Sequence, residues 1–238
     1  MPPRSLIDLP DNCKGEIRLP IPKPFRRGRL RDHERMSIES AVRNLKGIAT
    51  RTGRANWSTQ RVLDFGCGVK ISQALIQYDV DVRAYVGMDV HEGMIDCLKA
   101  AVNRPNFSYH RVPFQNANYN PLGVPMTEHS ELPGGTDPYD LIVLQSVFTH
   151  FAPADFQAAL HVLRRYTTAD TLMLFTCFID DEMATDFLDA VPDRPLLQAY
   201  YKETAIRKML ERSRWQTVSF HPKSKEYAMN PHFVCAPG

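Results

Sequence analysis

The chain of 238 residues is 43% hydrophobic, which is enough to bury a core, so we expect a single domain with an amino-terminal extension. Its 29 Lys and Arg residues nearly balance 27 Asp and Glu residues, for a formal net charge of +2. This balance provides no global field for nucleic acid or for an anionic membrane. We therefore expect neither of these as a partner, and leave a homodimer open.

The cysteines predict a reducing environment. They stand at positions 13, 67, 97, 177 and 235 and show neither the paired spacing of a disulfide framework nor that of a metal site. The histidines show no metal-ligand pair, so no bound metal is predicted. The chain has no apolar segment typical of a secretory signal and no run near the roughly 18 apolar residues of a membrane span. A soluble, cytoplasmic protein is expected.

Residues 1–32 are rich in proline and arginine, a composition that resists regular structure. Two interpretations stay open: a solvated arm, or a lid over a ligand in which the arginines of 26–31 meet an anionic group. From about Glu34, apolar residues at helical spacing predict an amphipathic helix that ends near Gly53. The domain proper is expected to cover residues 33–238.

A glycine turn follows the first predicted strand. The run Val62-Leu63 indicates a buried strand, and Gly66 and Gly68 let the backbone turn sharply and approach a ligand. A second short strand, residues 84–89, ends at Asp89, 21 residues after Gly68. An acid about 20 residues beyond a glycine turn is the expected acceptor for both hydroxyls of a ribose. The two segments predict a nucleoside-binding crevice.

Strands and helices alternate along the rest of the chain, which predicts an α/β fold with a doubly wound sheet. The expected strands cover 107–112, 139–144, 171–176, 215–220 and 232–235. The expected helices cover 71–78, 91–103, a segment after Pro153, 180–191 and 202–213. Residues 116–138 form a polar stretch rich in Asn, Pro and Gly, and an irregular segment of that length is usually functional or mobile.

The glycine turn resembles the motif Asp/Glu-x-Gly-x-Gly-x-Gly of class I S-adenosylmethionine-dependent methyltransferases. Asp64, Gly66 and Gly68 fit the motif, whereas Lys70 stands where the third glycine belongs. The resemblance covers roughly residues 60–236. It implies a single Rossmann-like sheet of seven strands in the order 3-2-1-4-5-7-6, the seventh antiparallel, and S-adenosyl-L-methionine as cofactor. A nicotinamide-dependent dehydrogenase is a competing interpretation, but dinucleotide-binding proteins normally keep an apolar residue at the position of Asp64.

The resemblance also implies roles for individual residues around the cofactor. The methionine end would be held by Asp64 and by the backbone of Gly66, Cys67 and Gly68. Asp89 would bind the ribose. Lys70 either meets the methionine carboxylate or points to solvent.

The adenine is expected against residues after the second and third strands. Val90 and Met94 would lie near it, and Phe114 would pack on the ring. Gln115 or Asn116 would read its amino group; the alternative for Asn116 is a cap of the following turn. The remaining cofactor contact is expected from Gln145, which opens the segment after strand four.

Residues 145–150 should wall the methyl-transfer site. His150 is a candidate general base, since a pKa of about 6.5 suits proton removal near neutrality; related enzymes also carry a histidine here without a catalytic role. Phe148, Tyr200 and Tyr201 are candidate acceptor contacts, although such aromatic residues are also typical of a core. The segment lacks the Asn/Asp-Pro-Pro-aromatic signature of enzymes that methylate base amino groups, and the aspartate with which catechol-type enzymes hold magnesium.

We therefore expect methyl transfer from S-adenosylmethionine to a small-molecule acceptor, through oxygen rather than nitrogen or sulfur. The alternative is a non-catalytic, methyltransferase-like module that binds the cofactor or regulates a partner. Lys70 in place of a glycine motivates that alternative.

Overall fold

The computed structural model describes residues 4–238. The helices are α1 (Glu34–Thr52), α2 (Lys70–Gln77), α3 (Glu92–Ala101), α4 (Pro153–Arg164) and α5 (Glu203–Arg212). The strands are β1 (Arg61–Phe65), β2 (Ala84–Asp89), β3 (Phe107–Arg111), β4 (Tyr139–Leu144), β5 (Thr167–Thr176), β6 (Phe178–Ile179), β7 (Phe187–Asp189), β8 (Ala199–Tyr201), β9 (Trp215–His221) and β10 (His232–Pro237). Over this part of the chain, no helix has the length and apolar character needed to cross a membrane.

Seven strands form one sheet in the order β3-β2-β1-β4-β5-β10-β9. The last strand, β10, runs antiparallel to both β5 and β9, while the other pairs are parallel. This confirms the predicted order 3-2-1-4-5-7-6. From β1 the chain adds strands toward one edge of the sheet (β2, β3), and from β4 it adds them toward the other edge. In open α/β sheets, ligands bind outside the carboxyl ends of the strands at such a switch point.

The sheet separates two hydrophobic layers, because successive side chains of a strand point to opposite faces. Val62 belongs to the cluster that contains the buried residues of α1, α2 and α3, whereas Leu63 packs with those of α4 and α5. Helix α1 ends as predicted at Gly53, whose φ of +69° is the left-handed conformation that a glycine adopts at low cost.

The amino-terminal segment from residue 4 is irregular but packed on the domain. Leu6, Leu9, Leu19 and Ile21 are each at most 2% exposed and belong to the same core cluster as α1 and α2. Its backbone is bound by helix side chains: Gln73 of α2 donates to the Leu19 carbonyl at 2.9 Å. Burial of four large apolar side chains makes a freely solvated arm the wrong interpretation for this part of the segment.

The predicted helix over 180–191 is wrong. Residues 187–189 of this region instead form β7, an edge strand of a small sheet in the order β6-β8-β7. The Asp180 carboxylate accepts from the Glu182 N–H at 3.0 Å, a local bond that competes with helical pairing. The ring of Phe187 packs on that of Tyr201, with centroids 5.2 Å apart. Strand pairing with β8 therefore overrides a weak local helical pattern.

Candidate functional site

The glycine turn after β1 lies at the carboxyl edge of the sheet. Gly66 and Gly68 have φ values of +73° and +50°. A side chain on Gly66 would collide with the Val147 side chain, so only glycine fits there. The N–H groups of Gly66 and Cys67 donate to the Met88 carbonyl at 2.7 and 2.9 Å, which ties the turn to the end of β2.

Asp89 connects that turn to the start of α3. Its Oδ2 accepts from the Gly68 N–H and its Oδ1 from the His91 N–H, both at 3.0 Å. Burial raises the pKa of the Asp89 carboxyl, and these two N–H groups oppose that shift. The side chain is thus held in place at the edge of a cleft, with lone pairs left for a ligand.

Two adjoining cavities open at this edge, with volumes of about 300 Å³ and about 100 Å³. Gly66, Asp89, Tyr119, Ser146 and His150 line both of them. We call the two together the cleft. Of the predicted site residues, the larger cavity is also lined by Cys67, Gly68, Lys70, Met94 and Gln145, and the smaller by Val90, Phe114, Gln115 and Asn116.

Asp64 lies behind the glycine turn and does not line the cleft. It is 1% exposed; its Oδ2 accepts from the Tyr85 hydroxyl at 2.6 Å, and its Oδ1 has no hydrogen-bond partner among the described residues. The Gln145 Nε2 is a second buried polar atom without a partner in the same part of the chain. Buried polar groups normally have partners, and the free donor of Gln145, which lines the larger cavity, fits a polar ligand at this edge.

Burial raises the pKa of Asp64 from 3.8 to about 7; the Tyr85 hydrogen bond opposes the shift and the Asp89 charge adds to it. Since the folded-state pKa lies above the unfolded one, ionisation destabilises the ligand-free fold progressively from about pH 4 to about pH 7. We expect Asp64→Asn, which cannot ionise, to melt at a higher temperature than the wild type at pH 8. The difference in melting temperature between the variant and the wild type should shrink as the pH falls toward about 4.

Thermal unfolding of both ligand-free proteins across this pH range measures the difference in melting temperature. The matched control is Asp96→Asn, on the exposed face of α3, which should leave the pH profile of the wild type unchanged. A constant difference between Asp64→Asn and wild type at all pH values would contradict the raised pKa.

Lys70 begins α2 beside the glycine turn, where its ammonium joins the positive end of the helix dipole. It lines the cleft rather than pointing into solvent. Burial lowers the pKa of the Lys70 ammonium, and no carboxylate lies within ion-pair distance of it in residues 4–238. A desolvated cation without a partner is suited to an anionic group of a ligand.

His150 ends a short 3-10 turn, Phe148–His150, after β4. Its Nδ1 lies 3.1 Å from the Leu196 carbonyl oxygen. A carbonyl can only accept, so Nδ1 carries the proton and Nε2 is left as the acceptor of a neutral ring. Burial lowers the pKa of His150 below 6.5, although hydrogen bonds to the Leu196 and Leu197 carbonyls oppose the shift. The ring is therefore unprotonated at neutral pH.

Three predicted acceptor contacts do not line the cleft. Phe148 is fully buried and stacks on Phe156 with ring centroids 3.6 Å apart. Tyr201 is also fully buried, and its hydroxyl donates to the Phe151 carbonyl at 2.6 Å. Tyr200 stacks on Phe178 in the small sheet, at 5.1 Å. The structure thus brings none of the three to the cavities, and the core interpretation fits Phe148 and Tyr201.

Asn116 and Gln115 differ in whether the side-chain oxygen is already hydrogen-bonded. The Asn116 Oδ1 accepts from the N–H groups of Asn118 and Tyr119, so its side chain caps the turn. The Gln115 Nε2 donates to the Pro121 carbonyl at 3.1 Å, which leaves the Gln115 Oε1 available. Gln115 is therefore the better placed of the two to accept from an amino group in the smaller cavity.

The sequence placed Arg27 among the arginines that could meet an anionic group, and Ser146 in the wall of the methyl-transfer site, but it indicated no role for Tyr119. Tyr119 comes from the long loop 116–138, whose Asn-x-x-Tyr-Asn pattern was the signal that could have indicated it. Arg27 comes from the amino-terminal segment. Ser146 adopts a left-handed φ of 59° directly after β4, a sparsely populated conformation that often marks functional sites. Backbone strain of this kind cannot be read from composition.

Comparison with known proteins identifies the family. A family model described as a methyltransferase domain matches residues 32–219. This chain belongs to the class I S-adenosylmethionine-dependent methyltransferases. As in that class, its cofactor is S-adenosyl-L-methionine. Asp89 at the end of β2, the glycine turn after β1 and the unpaired Asp64 Oδ1 all fit such a ligand.

Solved structures with the same fold are distant in sequence. Magnesium protoporphyrin IX methyltransferase from Synechocystis PCC 6803, with bound S-adenosylmethionine, is 15% identical with a TM-score of 0.54, over 89% of this chain and 85% of that one. A Burkholderia thailandensis 1,6-didemethyltoxoflavin N1-methyltransferase is 13% identical with a TM-score of 0.57, over 88% and 81%. The glycopeptide N-methyltransferase MtfA with S-adenosylhomocysteine is 10% identical with a TM-score of 0.57, over 85% and 90%. At these identities the similarity establishes the fold only.

Proposed function

We propose that this methyltransferase transfers the methyl group to a hydroxyl oxygen of a small molecule, with His150 as general base. The observation that carries the proposal is the hydrogen bond from His150 Nδ1 to the Leu196 carbonyl. It fixes the tautomer in which Nε2 holds a free lone pair, on a residue that lines both cavities. An alcohol or phenol needs such a base, because its oxygen becomes a strong nucleophile only as the proton leaves.

The cofactor is proposed to occupy both cavities. In the larger one, Lys70 and the Gln145 amide would receive the methionine carboxylate. The Asp64 carboxylate, behind the glycine turn, would attract the methionine ammonium by its charge. Asp89 would accept the ribose hydroxyls where the cavities meet. In the smaller one, Val90 and Phe114 would contact the adenine, and the Gln115 Oε1 would accept from its amino group.

The reaction then needs little beyond positioning and one proton transfer. The hydroxyl oxygen attacks the methyl carbon as Nε2 of His150 takes the hydroxyl proton. The cofactor would supply an activated methyl group, and its sulfur would keep the electron pair of the bond that breaks. His150 returns the proton to solvent. Alignment of the attacking oxygen by the cleft supplies most of the rate gain, since the leaving group is already activated.

A small acceptor is supported by the size of the cleft and by the net charge of +2, which favours no polyanion. A cytoplasmic location, the absence of nucleic-acid and membrane partners, and a homodimer remain predictions. So does the separation of residues 1–32 from a domain of residues 33–238.

Transfer of a labelled methyl group tests the proposal. The protein is incubated with S-adenosylmethionine that carries a deuterated methyl group, together with pools of phenols, alcohols, amines and thiols, and products are read by mass spectrometry. We expect labelled ethers from the phenol or alcohol pools. Labelled amines or thioethers alone would contradict oxygen transfer. Cofactor binding without any labelled product would favour the non-catalytic module.

A further inference from the structure

The charged residues that line the cleft are unbalanced. Over residues 4–238 they are Arg27, Lys70 and Asp89, which sum to one positive charge with the histidines neutral. S-adenosylmethionine adds another, because it carries a sulfonium, an ammonium and one carboxylate. The Asp64 carboxylate behind the glycine turn, proposed above to attract that ammonium, offsets one of the two, so one positive charge is left over. Both oxygens of Asp89 already accept from backbone N–H groups, and the proposed ribose contact leaves no carboxylate for a cationic acceptor.

Arg27 is the cation of residues 4–32 that lines the cleft, and it has no paired acid there. Its neighbour Arg26 pairs with Glu34 at 2.6 Å, and Lys23 and Arg31 both pair with Asp32, at 2.8 and 3.6 Å. Arg27 has no such acid within reach in the described chain; its guanidinium donates to the Pro24 carbonyl at 2.7 Å. A guanidinium cannot lose its charge, so it needs an anion or water.

Arg27 is held at the His150 end of the cleft. Its Cζ lies 5.8 Å from the centre of the Tyr119 ring, and that ring meets the His150 ring edge to face with centroids 5.9 Å apart. Cation–π contact of this kind orients the guanidinium without neutralising it. The fork of N–H donors is therefore held on the Tyr119 ring, which separates it from the proposed base.

The two cations line the same larger cavity. Lys70 stands at the start of α2 by the glycine turn, and its Nζ lies within 3.7 Å of where a side chain on Gly28 would begin. The cofactor has one carboxylate, and Lys70 with the helix terminus is placed to receive it. Arg27 is then left for an anion that the cofactor does not provide.

We propose that Arg27 binds a carboxylate of the methyl acceptor, and that the acceptor is a hydroxylated carboxylic acid whose hydroxyl group faces His150. This inference rests on the proposed function. A planar guanidinium matches a carboxylate with two parallel hydrogen bonds. An anionic acceptor offsets the excess positive charge of the loaded cleft, whereas an amine cation would add to it.

Binding to the protein saturated with S-adenosylhomocysteine tests this directly. The probes are 4-hydroxybenzoate, 3-hydroxybenzoate and 4-hydroxyphenylacetate, each compared by calorimetry with its neutral amide of nearly the same shape. We expect at least one acid to bind about tenfold or more tightly than its amide, because one charge-assisted hydrogen-bonded pair supplies a free energy of that size. Arg27→Ala should remove that preference. Arg29→Ala, an exposed arginine of the same segment, should keep it.

The affinity for S-adenosylhomocysteine separates the possible failures. If the wild type does not bind it, the proposed function fails first. If it binds and no acid is preferred over its amide, or if Arg27→Ala keeps the preference, the inference about Arg27 is overturned. It is also overturned if Arg27→Ala lowers the affinity for S-adenosylhomocysteine itself about tenfold, because Arg27 would then bind the carboxylate of its amino-acid end.

Discussion

Replacing Asp89 with alanine is expected to weaken S-adenosylhomocysteine binding about a hundredfold or more. Two charge-assisted hydrogen bonds to the ribose hydroxyls would be lost, at about 1.5–3 kcal/mol each. The same carboxylate also holds the Gly68 and His91 N–H groups, so the glycine turn loses its tie to α3. Isothermal titration calorimetry of wild type and variant gives the ratio of dissociation constants.

Two further variants make the Asp89 result specific. Asp89→Asn keeps the shape but loses the charge, and should fall between wild type and Asp89→Ala. Asp96→Ala removes an exposed carboxylate from the next helix and should leave the affinity unchanged. An affinity for Asp89→Ala within threefold of wild type would mean that Asp89 is not the ribose ligand.

The second large effect is expected at His150. His150→Gln should lower kcat by about 10²–10⁴-fold, the usual contribution of a positioned base. The rate of the wild type should rise with pH through a pKa below 6.5 and level off near neutrality, because burial lowers the pKa of His150 and only the neutral ring accepts a proton. The variant should lose this rise.

The affinity for the cofactor distinguishes a base from a structural residue. His150→Gln should bind S-adenosylhomocysteine within about threefold of wild type, since none of the proposed cofactor contacts is made by His150 and glutamine keeps a polar side chain in the lining. His129→Gln, whose side chain is 87% exposed, serves as control and should keep wild-type kcat. An unchanged kcat in His150→Gln would show that His150 is not the general base.

The features that could be predicted from the sequence are those with local causes. Gly66 and Gly68 stand where the backbone has positive φ, and Asp89 is the last residue of a buried strand. Each of these features is visible in a few consecutive residues of the sequence. The seven-stranded order came with the family resemblance. Alternating patterns fix where strands lie, but not how they are ordered across a sheet.

The residues that could not be predicted depend on packing between distant segments. Tyr200 and Tyr201 have the same residue type side by side, yet β8 directs one into the core and the other against Phe178. For Arg27, the composition of residues 1–32 left a solvated arm and a lid both open. The burial of Leu19 and Ile21 against α1 and α2 accompanies its position at the cleft. No periodicity in residues 1–32 reports such long-range burial.

A crystal structure of the complex with S-adenosylhomocysteine tests the central claim most directly. We expect the ribose hydroxyls within hydrogen-bond distance of the Asp89 carboxylate and the sulfur in the cleft on the side of His150 Nε2, with space for an acceptor oxygen between them. A ribose bound away from Asp89, or a sulfur turned away from His150, would contradict the account.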